Sequence, residues 1–164
     1  MDAEFNSPLG EKLALKEIVK RIVSFMAEAP ERKYKITIGT DSELLKNKTA
    51  DFVTAVVVHR VGNGGRYFWR RAAPTGKFHT LRDRIIKEVL ISLEAAQLLF
   101  KALKEEVKKE PGALWNFEVH ADVGDVGPTK VMIQEVTGMV RAYNFEVRVK
   151  PESYAASHVA DRHV

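Results

Sequence analysis

Cysteine is absent from all 164 residues. Disulfide bonds, zinc–thiolate sites and thiol nucleophiles are therefore excluded, because each of them needs a cysteine sulfur. Any metal site in this chain must be built from carboxylates, histidines and water. Long apolar runs are lacking as well, and the N-terminus has no basic stretch followed by an apolar one. We therefore expect a cytoplasmic protein that has no membrane partner.

An excess of one charge is also lacking overall, since the formal net charge is only +4. The charge is unevenly distributed, however, because residues 60–87 contain eight lysines and arginines but only one acid, Asp83. Such a local excess fits a polyanion partner, and it equally fits a solvated surface. The residues that we expect to bind nucleic acid (RNA, DNA or a hybrid) are Arg66, Arg70, Arg71, Lys77, Arg82 and Arg84.

The length of the chain and its hydrophobic fraction of 45% predict one domain, residues 1–164, with a core of its own. Residues 1–30 are predicted to be an N-terminal helical extension of that domain. Apolar residues recur at helical spacing from about Leu9 to Ala27, and Pro30 ends the helix.

Five strands are predicted further along. "YKITIGT" alternates as a strand does, "DFVTAVVVHRV" is almost continuously β-branched, and "RYFWRRA" follows a glycine-rich turn. A long helix from Thr80 to about Lys109 comes next, and the strands "LWNFEVHADVG" and "FEVRVK" then alternate with helices. Strands joined by short turns form an antiparallel meander, whereas strands separated by helices pair in parallel. The pattern predicts an α/β fold with a mixed five-stranded sheet, three meander strands plus two parallel strands, flanked by helices.

Four carboxylates are candidates for one functional site. Asp41 closes the first strand and Asp122 lies near the end of the fourth, so both are expected at the carboxyl ends of neighbouring strands, where open α/β sheets bind ligands. On the long helix, Glu88 points only about 60° away from the core residue Ile85, whereas Asp83 and Glu94 point away from the core. Asp161 lies on the terminal helix.

Four neighbouring carboxylates would repel one another strongly, so such a cluster must share protons or bind cations. Oxygen ligands without thiolates favour Mg²⁺ or Mn²⁺ over zinc. Taken singly, each acid has a structural explanation: turn chemistry for Asp41, loop capping for Asp122 and a surface ion pair for Glu88. Taken together, their placement favours a metal site. The small residues Gly39 and Thr40 beside Asp41 are expected to leave room there for a metal and a phosphate.

Several other residues have two interpretations. His158, one turn before Asp161, is positioned to protonate a leaving group or to assist product release. His120, which shares a strand face with Asp122, fits the same two roles. A hydrogen-bonding or half-buried histidine is the alternative for both residues, and it is favoured for His120. The rings of Tyr67 and Trp69 fit base stacking or cross-strand packing. Lys150 fits either the rim of the acidic site or a plain surface.

The segments that point to a family are "IGTDSELL", "VVVHRVGNGGRYFWRR", "LRDRIIKEVLISLEAA", "VHADVGDVGPTKVMIQEVTGMV" and "VKPESYAASHVADRHV". Together they resemble the bacterial YkuK-type ribonuclease H-like family, within the ribonuclease H-like superfamily, over essentially the whole chain. The resemblance implies a ribonuclease H-like fold and the processing of nucleic acid with two Mg²⁺ or Mn²⁺ ions.

Carried over to this sequence, the resemblance makes Asp41 and Asp122 the central ligands, Glu88 the third and Asp161 the fourth. The chain departs from ribonuclease H itself in two ways. Ser42 and Glu43 replace the turn that follows the first aspartate, and Glu88 lies further into its helix. Both departures bear more on hybrid-duplex specificity than on metal binding.

The leading functional hypothesis is thus a two-metal nuclease or related phosphodiester-processing enzyme. A nucleic-acid-binding module with weak or no catalysis is the alternative. The segment "IGTDS" also resembles the phosphate loop of actin-like ATPases. Such an ATPase needs two lobes with this core topology around its nucleotide, and this chain has the length of one. Exposed edge strands would allow a homodimer.

Overall fold

The computed structural model describes residues 4–109 and 112–164. It begins with two short strands, β1 (Glu4–Asn6) and β2 (Lys12–Ala14), which pair antiparallel with Phe5 opposite Leu13. Helix α1 (Leu15–Glu28) follows directly. The N-terminal extension is therefore a hairpin plus a helix, and the prediction that the helix starts near Leu9 is wrong. Leu13 is buried, but it lies on a strand and not on a helix. Its apolar character alone does not distinguish the two kinds of element.

The sheet has seven strands rather than the five predicted. Strands β3 (Lys33–Leu44), β4 (Ala50–Arg60) and β5 (Gly65–Ala72) form the antiparallel meander. Strand β6 (Leu114–His120) pairs in parallel with β3, and β7 (Glu146–Arg148) pairs in parallel with β6. The order across the sheet is β2-β1-β5-β4-β3-β6-β7. The two additional strands come from the N-terminal hairpin, which joins the outer edge of β5 where Asn6 pairs with Trp69. The mixed α/β class, the meander and the parallel pairings are confirmed.

Three helical segments follow the meander. Helix α2 (Leu81–Val107) begins after Thr80, whose hydroxyl accepts the Asp83 N–H as an N-cap. A 3-10 turn (Lys130–Met132) leads into α3 (Ile133–Ala142). The chain ends in a π-helical segment (Ala155–Ala160) and a 3-10 turn (Asp161–His163), together called the C-terminal helix. In the described part of the chain, no helix has both the length and the apolar character needed to cross a bilayer.

The two faces of the sheet are covered differently. Large apolar residues such as Ile36, Ile38 and Val56 lie on the face that packs with α1 and α2 in the main core. Small residues dominate the centre of the opposite face, where Ala55 packs with Ala160 of the C-terminal helix. Because side chains alternate along a strand, Asp41 lies on this second face, with Gly39, and Ser42 lies on the first.

Candidate metal and nucleic-acid site

Asp41 lies where two central strands part. β3 pairs with β4 as far as Leu44, but with β6 only as far as Gly39, opposite His120. Asp41 therefore follows the last residue pair that joins β3 to β6. Its side chain is largely buried, and its Oδ1 accepts the backbone N–H of Ser42 at 2.9 Å. Asp41 is therefore near the carboxyl end of β3, but the expectation that it closes the strand is wrong, because β3 continues to Leu44 paired with β4.

Asp122 lies two residues beyond the end of β6, at the same end of the sheet. Its Oδ1 accepts the Ser157 hydroxyl at 2.7 Å, and the ammonium of Lys150 lies 3.2 Å from the same oxygen. The carboxylate is therefore tied to the C-terminal helix on one side and to a lysine on the other. This contact favours the interpretation that Lys150 lies at the rim of the acidic site over the interpretation that it is a plain surface residue.

Glu88 reaches the same region from α2 and is only 3% exposed. Its Oε2 accepts the Ser42 hydroxyl at 2.5 Å, whereas its Oε1 is buried and has no hydrogen-bond partner within residues 4–109 and 112–164. The helical periodicity that distinguished Glu88 from Asp83 and Glu94 thus identified a buried acid correctly. The role of Ser42 was missed, although strand alternation from Asp41 already directs Ser42 towards α2.

Burial raises the pKa of Asp41 to about 8, and hydrogen bonding with Asp161 and the negative charge of Asp122 act in the same direction. Burial also raises the pKa of Glu88 well above its usual range; the Ser42 hydroxyl opposes this, and the charges of Asp41 and Asp122 add to it. These carboxyls therefore lie close enough to affect one another's ionisation. We call Asp41, Glu88, Asp122 and Asp161 the acidic cluster.

The donor set of the acidic cluster suits a hard divalent cation, because every donor is an oxygen. Among the described residues, Oε1 of the buried Glu88 also accepts no hydrogen bond, and a bound cation would satisfy it. In residues 4–109 and 112–164, however, no three acidic or histidine side chains already converge in the arrangement of a metal site. Glu88 is turned towards Ser42, and Asp122 towards Ser157 and Lys150. Binding a cation would thus require these side chains to reorient.

The space beside Gly39 is filled by another part of the protein and is not open. A Cβ on Gly39 would lie 2.5 Å from the backbone nitrogen of Ala156. The neighbouring Thr40 points to the other face, where its hydroxyl bonds with Thr54 and Ser92. The expectation that Gly39 leaves room for a metal and a phosphate is therefore wrong, because the C-terminal helix fills that room.

The two histidines near the acidic cluster differ in environment. His120 is buried, and its Nδ1 accepts the backbone N–H of Ala155 at 3.1 Å. Its Nε2 consequently carries the proton and donates to Glu118 at 3.2 Å. Burial lowers the pKa of His120. His120 is thus the hydrogen-bonding residue expected, whereas His158 is exposed on the C-terminal helix.

Most of the predicted basic residues lie at the end of the sheet that carries the acidic cluster. Arg71 pairs with Val53, which in turn pairs with Asp41. Arg84 donates to the carbonyl of Ser42 at 3.2 Å. Arg70 lies one residue before Arg71 with its guanidinium over the Phe5 ring, Lys77 is exposed in the loop before α2, and Arg82, at the start of α2, pairs with Glu135.

Arg66 is the exception among these six residues. It pairs with Val58, opposite Ile36, which is five residues before Asp41 on β3. At about 3.3 Å per residue, this places Arg66 roughly 16 Å from Asp41 along the strand direction. Its guanidinium lies over the Phe25 ring, on the face that α1 covers. The structure does not bring Arg66 to the acidic cluster.

The aromatic residues of β5 hold the chain terminus. The rings of Trp69 and His163 stack with centroids 4.3 Å apart and planes 10° apart, and the Tyr67 hydroxyl lies 3.2 Å from His163 Nε2. Arg71 donates to the carbonyl of His163 at 2.5 Å. We call Tyr67, Trp69 and Arg71 the His163 clamp. The contacts support the packing interpretation of the two rings, and they fix the turn that contains Asp161.

Comparison with known proteins places this architecture in a family. The family model described as Ribonuclease H-like matches residues 17–164, and the chain belongs to this ribonuclease H-like family. Among individual proteins, the chain is 31% identical over 157 residues to "Uncharacterized protein YkuK" of Bacillus subtilis (strain 168). The match covers 92% of this chain and 91% of that protein. No solved structure matches.

The family resemblance seen in the sequence is thereby confirmed, and membership indicates a nucleic-acid-related function.

Proposed function

We propose that this protein is a divalent-metal-dependent nuclease, or a related enzyme that processes phosphodiesters, and that the acidic cluster is its centre. The observation that carries the proposal is that acids from β3, α2, the end of β6 and the C-terminal helix lie near enough to act on one another: Asp122 and Asp161 act on Asp41, and Asp41 and Asp122 act on Glu88. The raised pKa values of the buried Asp41 and Glu88 support it, because a cation stabilises carboxylates that are buried together. Arg71, Lys77, Arg82 and Arg84 at the same end of the molecule supply charge for a nucleic-acid backbone, whereas Arg70 lies at this end on the face of the sheet opposite Asp41.

Asp41, Glu88, Asp122 and Asp161 would hold Mg²⁺ or Mn²⁺, most simply as two ions. Such ions lower the pKa of a bound water and stabilise negative charge on the leaving oxygen of a phosphodiester. The Ser42 and Ser157 hydroxyls orient Glu88 and Asp122 by hydrogen bonds. His158 is exposed beside Ser157, where it can donate a proton to a leaving group at the solvent-accessible side of the site.

Metal binding is tested by isothermal titration of Mn²⁺ into the wild type and into Asp41→Asn. We expect Asp41→Asn to lose at least about tenfold in Mn²⁺ affinity, because it removes one charged oxygen ligand. Asp125→Asn, which changes an exposed acid three residues beyond Asp122, is the matched control and should bind Mn²⁺ as the wild type does. Equal Mn²⁺ uptake by all three proteins would remove Asp41 from the site.

Activity is tested with labelled RNA, DNA and RNA–DNA hybrid in Mn²⁺. Cleavage of any of the three that disappears in Asp122→Asn and persists in Asp125→Asn supports the nuclease. Comparing the three substrates at equal concentration also identifies the preferred nucleic acid.

A nucleic-acid-binding module without catalysis is the second candidate. One specific observation favours it: Asp122 already has a lysine as its counter-ion, and Glu88 is turned towards a serine. Binding that weakens steeply with salt, without cleavage in Mg²⁺ or Mn²⁺, would support this module over the nuclease.

A further inference from the structure

The side chain of Lys150 contacts Asp122, one of the four residues of the acidic cluster. Its Nζ lies 3.2 Å from Oδ1 of Asp122, the oxygen that also accepts the Ser157 hydroxyl. The lysine side chain is 46% exposed and that of Asp122 is 18% exposed. The ammonium group is therefore the more solvent-exposed partner of this ion pair.

The path of this side chain is defined by the neighbouring backbone. The N–H of Lys150 donates to the carbonyl of Val123 at 2.8 Å, which ties the strand end to the loop after β6. A Cβ on Gly124 would lie 2.8 Å from the Cβ of Lys150 and 3.3 Å from its Cδ. Gly124 is itself held in place, because its N–H donates to the hydroxyl of the buried Thr129. The aliphatic stem of Lys150 thus lies along a surface that only a glycine at this position leaves open.

An ion pair this exposed contributes little to global stability. Its local effect is larger, because it balances one charge in a cluster of acids of which Asp41 and Glu88 are buried. A divalent cation bound to Asp122 would compete with the ammonium for the same carboxylate oxygen. The flexible four-carbon stem would then let the ammonium turn towards solvent, where phosphate oxygens are its natural partners.

We propose that Lys150 is a phosphate-binding residue of the site: it neutralises Asp122 when no divalent cation is bound, and it contacts a backbone phosphate of nucleic acid when a cation replaces it. This inference rests on the proposed function, since it takes the acidic cluster to be the cation site. The ligand class is the phosphodiester backbone, and no particular base sequence is implied.

The test compares Lys150→Met with Lys130→Met, which removes an exposed lysine from the turn before α3. Mn²⁺ affinity is measured by isothermal titration. Affinity for a short fluorescent RNA or DNA is measured by anisotropy in Mn²⁺, across a range of salt concentrations, before cleavage proceeds. Circular dichroism confirms that each variant is folded.

For Lys150→Met we expect changes of opposite sign. Mn²⁺ should bind roughly 3- to 10-fold more tightly, because a competing positive charge is gone. The oligonucleotide should bind roughly 3- to 10-fold more weakly, and the slope of its log affinity against log salt should fall by about 1, as for one lost phosphate contact. Lys130→Met should change neither affinity beyond about twofold.

A second variant, Gly124→Ala, keeps the lysine but obstructs its stem, and it should shift both affinities in the same directions. A Lys150→Met protein that loses Mn²⁺ and oligonucleotide affinity together, or changes neither, would overturn the proposal. Equal effects of Lys130→Met would overturn it too, since they would indicate a general electrostatic effect of positive charge and not a contact made by Lys150. A wild type that takes up no Mn²⁺ would instead overturn the proposed metal site itself, and the Lys150 inference with it.

Discussion

At the scale of single residues, Gly39 controls how closely the C-terminal helix approaches the sheet. A Cβ at this position would lie 2.5 Å from a backbone nitrogen and 2.9 Å from two carbons of Ala156. Neither the strand nor the helix backbone can yield as a flexible side chain would. The position of Asp161 at the acidic cluster therefore depends on a residue that has no side chain.

We expect Gly39→Ala to lower the free energy of unfolding by about 1–3 kcal/mol, the usual cost of overpacking. Denaturant unfolding measures this. Gly138→Ala is the matched control, because a Cβ there meets nothing within 4 Å and the position lies inside α3. It should be neutral or should stabilise by about 0.5–1 kcal/mol, since alanine favours helix over glycine. If the two variants lose the same stability, close approach is not what requires Gly39.

Lys150 makes a similar point about single residues. Its charge and its place before Pro151 are visible in the sequence, but they fit a surface lysine equally well. Only its distance to Asp122 and the cradle of Gly124 distinguish the two interpretations.

At the scale of secondary-structure elements, the position of the C-terminal helix depends on contacts with several distant parts of the chain. It packs on small residues of β3 and β4, and its end is held by the His163 clamp on β5. His120 fixes its start through the N–H of Ala155. Two of the proposed functional residues, His158 and Asp161, lie between these two anchors.

Trp69→Ala should therefore loosen this helix more than the rest of the molecule. A stacked ring pair contributes about 0.5–1.5 kcal/mol, which corresponds to several-fold faster local opening. Hydrogen–deuterium exchange should show faster exchange across residues 155–163, with the amides of β3 and β4 little changed.

Trp115→Ala serves as the control for that measurement. Trp115 packs on Phe100 near the other end of the sheet, far from the His163 clamp in the strand register. It should not accelerate exchange in the C-terminal helix selectively. Identical exchange profiles for the two tryptophan variants would argue against the clamp.

At the scale of the whole molecule, the buried acids make stability depend on pH. Asp41 has a pKa of about 8 in the folded protein against 3.8 as the ordinary value, and the pKa of Glu88 is raised too. Between about pH 4 and pH 8 the folded state thus holds protons that the unfolded chain has released. Stability contributed by these groups is complete at low pH and is lost as pH rises through the folded-state pKa.

We expect the free energy of unfolding in EDTA to fall between pH 5 and pH 8, and Asp41→Asn to flatten that fall by at least about 1 kcal/mol, since one pKa unit corresponds to about 1.4 kcal/mol. Urea unfolding at several pH values measures it. The exposed Asp125→Asn should retain the wild-type slope. A steeper fall in Asp41→Asn than in wild type would contradict the raised pKa.

Much of the architecture follows from local patterns. Alternation and short turns identified the β3–β4–β5 meander, the helical separations identified the parallel strands, and Thr80 marked the start of α2. The β1–β2 hairpin was missed because strands of three residues are too short to show a period of two. Its apolar residues Phe5 and Leu13 are buried by contacts with the rest of the fold, which no local pattern contains.

The same division applies to the acidic cluster. Strand ends and helix faces are local properties, so the positions of Asp41, Asp122 and Glu88 could be deduced from residue spacing alone. Their partners could not, because the contacts join distant parts of the chain: Ser42 and Glu88 are 46 residues apart, and Tyr67 and His163 are 96 apart. Which oxygen of Glu88 is left without a donor, which lysine balances Asp122 and what fills the space beside Gly39 depend on how helices pack on the sheet. Packing is set by the shapes of all the contacting residues at once, and therefore only the tertiary structure decides it.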